Sequence, residues 1–155
     1  MRCPHCSNSM DGSVSILGKV GGQHGELQLS VTGIPAHKCP KGHASPLSGD
    51  FMLWLMGELK EKAEALPGGE ARGMLFKKYF CSCGKELPAK SAKRQVFPAE
   101  VKYQDKYPIQ AGLDLPVYKC EGCGKEQVHS AVNARKDVSF AMADVNDAAG
   151  FPHSA

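Results

Sequence analysis

The sequence has no long apolar segment and no strong excess of charge. No run of about 18 apolar residues occurs, so no transmembrane helix is expected. No apolar segment of the signal-peptide kind follows the opening MRCPHC. The formal net charge is only +3. We therefore expect a cytoplasmic protein with reduced thiols and no membrane partner.

Motifs that carry catalysis are also missing. There is no evident pair of acid/base carboxylates and no nucleophile elbow. The segment GKVGG at positions 18–22 is not a phosphate loop, because no serine or threonine follows its Gly-Lys. Close cysteine pairs can exchange disulfides, but a redox pair normally follows a strand of a thioredoxin-like βαβ unit, and none is predicted here. We expect no enzymatic activity.

Cysteine is the informative residue type. Seven cysteines suit neither disulfides nor pure four-cysteine metal sites, but the addition of His43, from KCPKGH, gives eight ligands and two complete tetrahedral sets. Each set is a close pair, a gap of thirty-odd residues and a second close pair. The predicted ligands of two structural zinc ions per chain are Cys3, Cys6, Cys39 and His43 in the first set, and Cys81, Cys83, Cys120 and Cys123 in the second.

Two details of this assignment stay open. His5, within the first pair, and His37, two residues before Cys39, are alternatives to His43 as the fourth ligand. The pair Cys81 and Cys83 has a single intervening residue, which is tighter than the usual two.

The two halves of the chain resemble each other. GIPAHKCPKGH aligns with LDLPVYKCEGCG so that Pro35 matches Pro116 and Cys39 matches Cys120, and each segment follows a strand-like stretch. In ELQLSVT, the residues Leu27, Leu29 and Val31 alternate onto one face. We predict an α+β fold of two tandem zinc ribbons, each followed by a helix, in domains 1–67 and 68–155.

The two helices have recognisable ends. The first is predicted to start near Ser45 and Pro46 and to stop before the linker PGG at positions 67–69. The second is predicted to run from Asn133 to a C-terminal cap at Gly150.

The N-terminal half resembles the zinc-binding N-terminal domain of MqsA-type antitoxins, the YgiT-type zinc finger. The resemblance rests on CPHC near the start, the second pair some thirty residues later and the proline ahead of it. Residues 74 to about 150 form a looser second copy. The resemblance implies a zinc-ribbon domain that binds a protein partner, but nothing corresponds to the helix-turn-helix with which those antitoxins bind DNA.

Two surfaces could carry binding. FMLWLM is a run of six apolar residues on a predicted helix, so one face cannot hide all of it. We expect a protein partner or a homodimer there, through Phe51, Met52, Trp54, Leu55 and Met56, unless these side chains pack inside the chain.

The alternative is nucleic acid. Residues 68–130 carry eleven Lys and Arg against seven Asp and Glu, a net of +4, whereas residues 1–67 balance at six each. The predicted contacts lie in the loop at positions 85–94, at Lys85, Lys90, Lys93 and Arg94.

Overall fold

A computed structural model describes residues 2–10 and 12–152. Within these ranges the protein is α+β, with two helices and mainly antiparallel sheets. Its elements are β1 (Ser15–Ile16), β2 (Val20–His24), β3 (Leu27–Thr32), β4 (Pro35–Lys38), β5 (Ala44–Pro46), α1 (Phe51–Glu64), β6 (Glu70–Arg72), β7 (Lys78–Phe80), β8 (Lys93–Tyr103), β9 (Tyr107–Lys119), β10 (Glu126–Gln127) and α2 (Ala131–Ala148).

The largest sheet joins the two halves of the chain. The long hairpin of β8 and β9 turns at Gln104 and Asp105, both of which have positive φ, as hairpin turns that match strand twist require. On its other edge β9 pairs with β3, which pairs with β2, while β10 pairs with the end of β9. The predicted alternation is confirmed in β3, where Leu27, Leu29 and Val31 are buried.

The pairing of β3 with β9 follows the internal repeat. Matching Pro35 with Pro116 relates the halves by 81 positions (116 − 35 = 81). Ser30 pairs with Gly112 and Val31 with Ala111. With this offset Ser30 is equivalent to Ala111 and Val31 is equivalent to Gly112, so the pair Ser30–Gly112 is equivalent to the pair Ala111–Val31. Equivalent strands of the two halves therefore pair about a local two-fold axis, as in an isologous dimer. The repeat is therefore reflected in the register of this strand pair.

The helices differ in part from their predicted bounds. Ser45 and Pro46 lie in β5, so α1 begins later than expected, at Phe51. For α2, the Ser130 hydroxyl accepts a hydrogen bond from the Asn133 backbone N–H and caps the helix, which begins at Ala131, two residues before the predicted start. Gly150 follows the C-cap with φ of +76°, which confirms the predicted C-terminal glycine.

One core cluster contains residues from both halves. It holds Leu29 and Leu55 from the first half together with Leu113 and Val138 from the second, all buried. Full burial of such a side chain is worth roughly 1.5–3 kcal/mol, so the two halves stabilise each other. The boundary between residues 67 and 68 stays a prediction about repeat units, which here share a sheet and a core.

Neither helix of the described chain has the length and apolar character that a membrane span requires.

The segment predicted as a linker is held in place. The Gly69 backbone N–H donates to the Val128 carbonyl at 3.0 Å, and Gly68 forms a bridge with Val128. The chain then enters a small hairpin, β6 and β7, whose connection spans positions 73–77.

Close contact between β2 and α2 gives a test of this arrangement. A Cβ at Gly22 would lie 2.3 Å from the Ala141 carbonyl oxygen. This oxygen belongs to the backbone of α2, so it cannot move away unless the helix moves with it. We expect Gly22→Ala to lower the free energy of unfolding by about 1–3 kcal/mol. Chemical denaturation measures the change.

Gly57→Ala is the matched control, because a Cβ there meets nothing within 4 Å and the residue lies in α1. Replacement of this helical glycine should raise stability by about 0.5–1 kcal/mol. Equal effects at the two positions would contradict the packing of α2 on β2.

Candidate metal centres

The first cluster is built from two tight backbone turns. In the N-terminal turn the Ser7 N–H donates to the Cys3 carbonyl at 2.9 Å and the Cys3 N–H donates to the Asn8 carbonyl at 2.8 Å. In the second turn the Gly42 N–H donates to the Cys39 carbonyl at 2.8 Å, with Gly42 at φ of +87°. These turns direct the side chains of each pair to one point.

The four predicted ligands of this cluster lie within reach of a single ion. The His43 Nδ1 atom is 3.3 Å from the Cys6 sulfur, 3.4 Å from that of Cys39 and 3.7 Å from that of Cys3. The Cys6 and Cys39 sulfurs are 3.7 Å apart, far beyond the bonded distance of about 2.05 Å in a disulfide. The four ligand atoms can therefore hold one metal ion.

The second cluster has the same plan. The Gly84 N–H donates to the Cys81 carbonyl at 2.9 Å, and the Gly124 N–H donates to the Cys120 carbonyl at 2.8 Å. Both glycines follow the second cysteine of their pair and have positive φ, which glycine adopts without strain. The Cys81 sulfur is 3.6 Å from that of Cys123, and the Cys83 sulfur is 3.5 Å from that of Cys120. The short Cys81–Cys83 spacing is thus accommodated in a second four-ligand group.

Hydrogen bonds to the sulfurs of Cys6 and Cys81 favour the thiolate forms that bind metals. The Asn8 backbone N–H is the main cause that lowers the pKa of Cys6 to about 6. For Cys81, the Cys83 backbone N–H and the Gln127 side-chain amide lower the pKa to about 6. The Gln127 Nε2 atom lies 3.1 Å from the Cys81 sulfur, and its residue is fully buried. A thiolate is both the better hydrogen-bond acceptor and the metal ligand.

The amides of Asn8 and Gln127 were not anticipated from the sequence. Asn8 follows Cys6 by two residues, and its side-chain Nδ2 also approaches that sulfur, at 3.1 Å. An amide side chain this close to a predicted ligand could have been identified from the sequence. Gln127 reaches Cys81 across 46 positions of sequence, so no local pattern indicates it.

The two alternative histidines lie outside the first ligand group. His37 is hydrogen-bonded through Nδ1 to the Ser13 carbonyl at 2.9 Å. His5 is exposed, and its ring centroid is 5.1 Å from that of His43. Of the three candidates, the structure places only His43 with its nitrogen among the three sulfurs.

The predicted partner residues on α1 are divided between the core and the surface. Phe51 and Leu55 are fully buried in the core of the chain itself. Trp54 is partly buried, with its ring centroid 5.0 Å from that of Tyr103. Met52 and Met56 are also partly buried and line a groove between α1 and α2. A partner that docks on α1 would therefore meet the two methionines.

Leu53 also lines this groove and is not among the predicted partner residues. It is 69% exposed, and it lies within the same apolar run, so the signal was available. Met142 contributes from α2, and the groove encloses about 300 Å³. We call this feature the α1–α2 groove, lined by Met52, Leu53, Met56 and Met142.

The predicted nucleic-acid contacts are exposed, but two of the four bind other residues of the chain itself. Lys93 forms an ion pair with Glu126 at 3.0 Å. Arg94 binds the Asp114 carboxylate at 3.0 Å and also donates to the Glu26 backbone carbonyl. Lys85 and Lys90 are exposed and lie in the predicted loop, whereas Lys93 and Arg94 belong to β8 and not to the loop. The structure thus holds Arg94 against its own sheet.

Comparison with known proteins gives no further assignment. No protein-family model matches the chain, and neither the curated proteins nor the solved structures include a match.

The ligand assignment in the first cluster can be tested by metal content. We expect His43→Ala to lower bound metal from two ions per chain to one, because the three remaining sulfurs leave the tetrahedron incomplete. Elemental analysis of the purified protein measures this. His5→Ala and His37→Ala are the matched controls and should keep both ions; loss of an ion in either would contradict the placement of His43.

The second cluster is tested in the same way. Cys83 is exposed, so Cys83→Ser alters little packing, and we expect it to remove or weaken one ion while the first site stays filled. Competition with a chromogenic chelator should show one ion released much earlier than in the unaltered chain. Unchanged release of both ions would exclude Cys83 as a ligand.

Proposed function

We propose that this chain is a non-catalytic protein in which two structural zinc ions support a protein-binding surface. The observation that carries the proposal is the presence of two four-residue groups whose ligand atoms all lie within 4.8 Å of one another. Each group combines residues from two distant turns, so an ion at either position would join segments of the chain that are otherwise far apart in sequence.

The donor chemistry favours zinc. Tetrahedral Zn²⁺ with Zn–S bonds of about 2.3 Å and a Zn–N bond of about 2.0 Å implies edges of about 3.8 Å between sulfurs and about 3.5 Å between sulfur and nitrogen. The sulfur pairs at 3.5–3.7 Å and the sulfur–nitrogen pairs at 3.3–3.7 Å are close to these values. Three thiolates with an imidazole, and four thiolates, are both common structural zinc sets.

A structural role follows from the number of protein donors. Four donors complete a tetrahedron and leave no open position for water or substrate, unlike catalytic zinc sites with three protein ligands. The positions of the pairs, at turns beside short strands, support the interpretation as two zinc ribbons. Zinc binding then contributes directly to folding, by roughly 10–16 kcal/mol in isolated zinc-finger peptides.

The α1–α2 groove is the surface that we assign to the partner. Three of the residues that line it are methionines, whose flexible thioethers adapt to varied apolar partners. The resemblance of the N-terminal half to the MqsA-type zinc domain, which binds a protein partner in that family, supports a protein rather than a nucleic acid. An antitoxin-like regulatory role in the cytoplasm belongs to the same proposal.

Affinity capture from native lysate tests the partner class. We expect a stoichiometric protein to be retained after nuclease treatment and to be lost with Leu53→Glu, which places a charge in the groove. The matched control is Val132→Glu, since Val132 is 66% exposed on α2 but does not line the groove. Zinc content measured in parallel shows that each variant is folded.

Two other outcomes of this experiment would contradict the proposal. Retention that is abolished by nuclease, and by charge reversal at Lys85 and Lys90, would assign the chain to nucleic-acid binding instead. Equal loss of the partner in both glutamate variants would remove the groove from the proposal.

A further inference from the structure

The two metal clusters differ in how far their ligand residues are open to solvent. None of the four ligand residues of the first cluster is exposed. The second cluster has two buried and two exposed cysteines, and the exposed ones are Cys83 and Cys123. Oxidation of cysteine follows its exposure and its thiolate character. The second cluster is therefore the more open of the two to an oxidant from solvent.

The side-chain amides add to this difference. In the first cluster the Asn8 Nδ2 atom lies 3.1 Å from the sulfur of Cys6, which is the least buried of the three cysteines there. In the second cluster the Gln127 Nε2 atom lies 3.1 Å from the sulfur of Cys81, which is already buried. A hydrogen bond to a sulfur lowers its basicity and, with it, its nucleophilicity. The amide thus covers the most accessible sulfur in the first cluster but a buried sulfur in the second.

The donor sets point in the same direction. The first cluster offers three thiolates and an imidazole, whereas the second offers four thiolates. With a divalent ion at each, the second cluster carries one more negative charge than the first. Its sulfurs are therefore more electron-rich and react more readily with an electrophilic oxidant.

The sulfurs of the second cluster lie close enough to pair across its two turns. The Cys83 sulfur is 3.5 Å from that of Cys120, and the Cys81 sulfur is 3.6 Å from that of Cys123. A disulfide needs about 2.05 Å, so an approach of about 1.5 Å joins Cys83 to Cys120. Each of these pairs combines an exposed cysteine with a buried one. An oxidant can react at the exposed sulfur, and the buried sulfur can then complete a disulfide.

We propose that Cys83 and Cys120 form a peroxide-sensitive site, at which oxidation to a disulfide releases the metal ion of the second cluster while the first cluster keeps its ion. The inference rests on the proposed function, in which both clusters hold structural zinc, and it adds a regulation of one of them. The modified residue is Cys83, and the reagent is a peroxide.

The reaction has two steps. The Cys83 thiolate attacks one oxygen of the peroxide, so that a sulfur–oxygen bond forms, the oxygen–oxygen bond breaks and hydroxide leaves. The Cys120 thiolate then attacks the Cys83 sulfur, so that the disulfide forms and a second hydroxide leaves. The two thiolates lose two electrons to hydrogen peroxide, and two protons from solvent complete two water molecules. Only Cys81 and Cys123 remain as donors, which is too few to hold the ion.

The structural effect should stay local. Cys81, Leu87 and Cys120 belong to a small buried group that is separate from the main core. The β3–β9 pairs, which join residues 28–32 to residues 110–114, contain none of the ligands. Loss of the second ion should therefore loosen the turns at Cys81 and Cys120 and leave the main sheet and core intact.

Oxidation of the zinc-loaded chain by hydrogen peroxide tests the proposal. A chromogenic chelator too weak to strip either cluster records the released zinc, and peptide mapping without reduction locates the disulfide. We expect one ion per chain to leave about tenfold faster than the other, together with a disulfide between Cys83 and Cys120. Far-ultraviolet circular dichroism should change little, and reduction in the presence of zinc should restore both ions.

Cys83→His is the diagnostic variant, because it gives the second cluster the donor set of the first. It should bind both ions and lose the rapid release. Cys6→His is the matched control, because it makes the same replacement in the first cluster and should keep the rapid release. Elemental analysis before oxidation shows whether each variant is fully loaded. For a Cys83→His chain that binds a single ion, the disulfide mapped in the unaltered chain decides the question.

Three results overturn the proposal. Release of both ions at equal rates would show that the clusters do not differ in their access to oxidant. A first disulfide elsewhere, such as between Cys120 and Cys123, would remove Cys83 as the reactive residue. Retention of both ions in excess peroxide would exclude an oxidant-sensitive site in either cluster.

Failure of this inference is separable from failure of the proposed function. A chain that holds two ions and keeps them in peroxide retains its structural zinc sites and refutes only the oxidation site. Fewer than two ions before oxidation would refute the zinc assignment itself. Capture of a partner through Leu53 is measured without peroxide and is independent of both results.

Discussion

The pairing of β3 with β9 is the constraint on which the rest of the architecture depends. These strands come from equivalent places in the two halves and meet through Ser30–Gly112 and Val31–Ala111. Because they run antiparallel, the second ligand pair of each half follows its strand toward opposite ends of the sheet. The two helices, one from each half, also pack beside each other and contribute to both the common core and the α1–α2 groove. The β3–β9 pairing and the helix contact thus join the two halves, while each metal cluster is built within one half.

The metal clusters have a local cause and a long-range effect. Each turn that presents a close ligand pair is closed by its own backbone hydrogen bonds, and Gly42, Gly84 and Gly124 supply the positive φ that three of these turns need. What the turns cannot do alone is approach one another. Tertiary contacts within each half bring its two turns together, and bound metal would then offset the thiolate repulsion that limits such an approach without it.

The sequence by itself determined the two candidate cysteine groups, the repeat and the alternation of β3, because these depend on residue type and on spacing along the chain. It left three histidines open for the first group, and only the structure brought His43 to the three sulfurs. It did not determine that Ser45 and Pro46 belong to β5, since their value as helix-start residues was overridden by pairing with β4. Only the tertiary structure decided that Phe51 and Leu55 are buried while Leu53 is exposed, and that Gln127 reaches Cys81. These features depend on how the second half packs on the first, and no local pattern encodes a contact between segments so far apart in the chain.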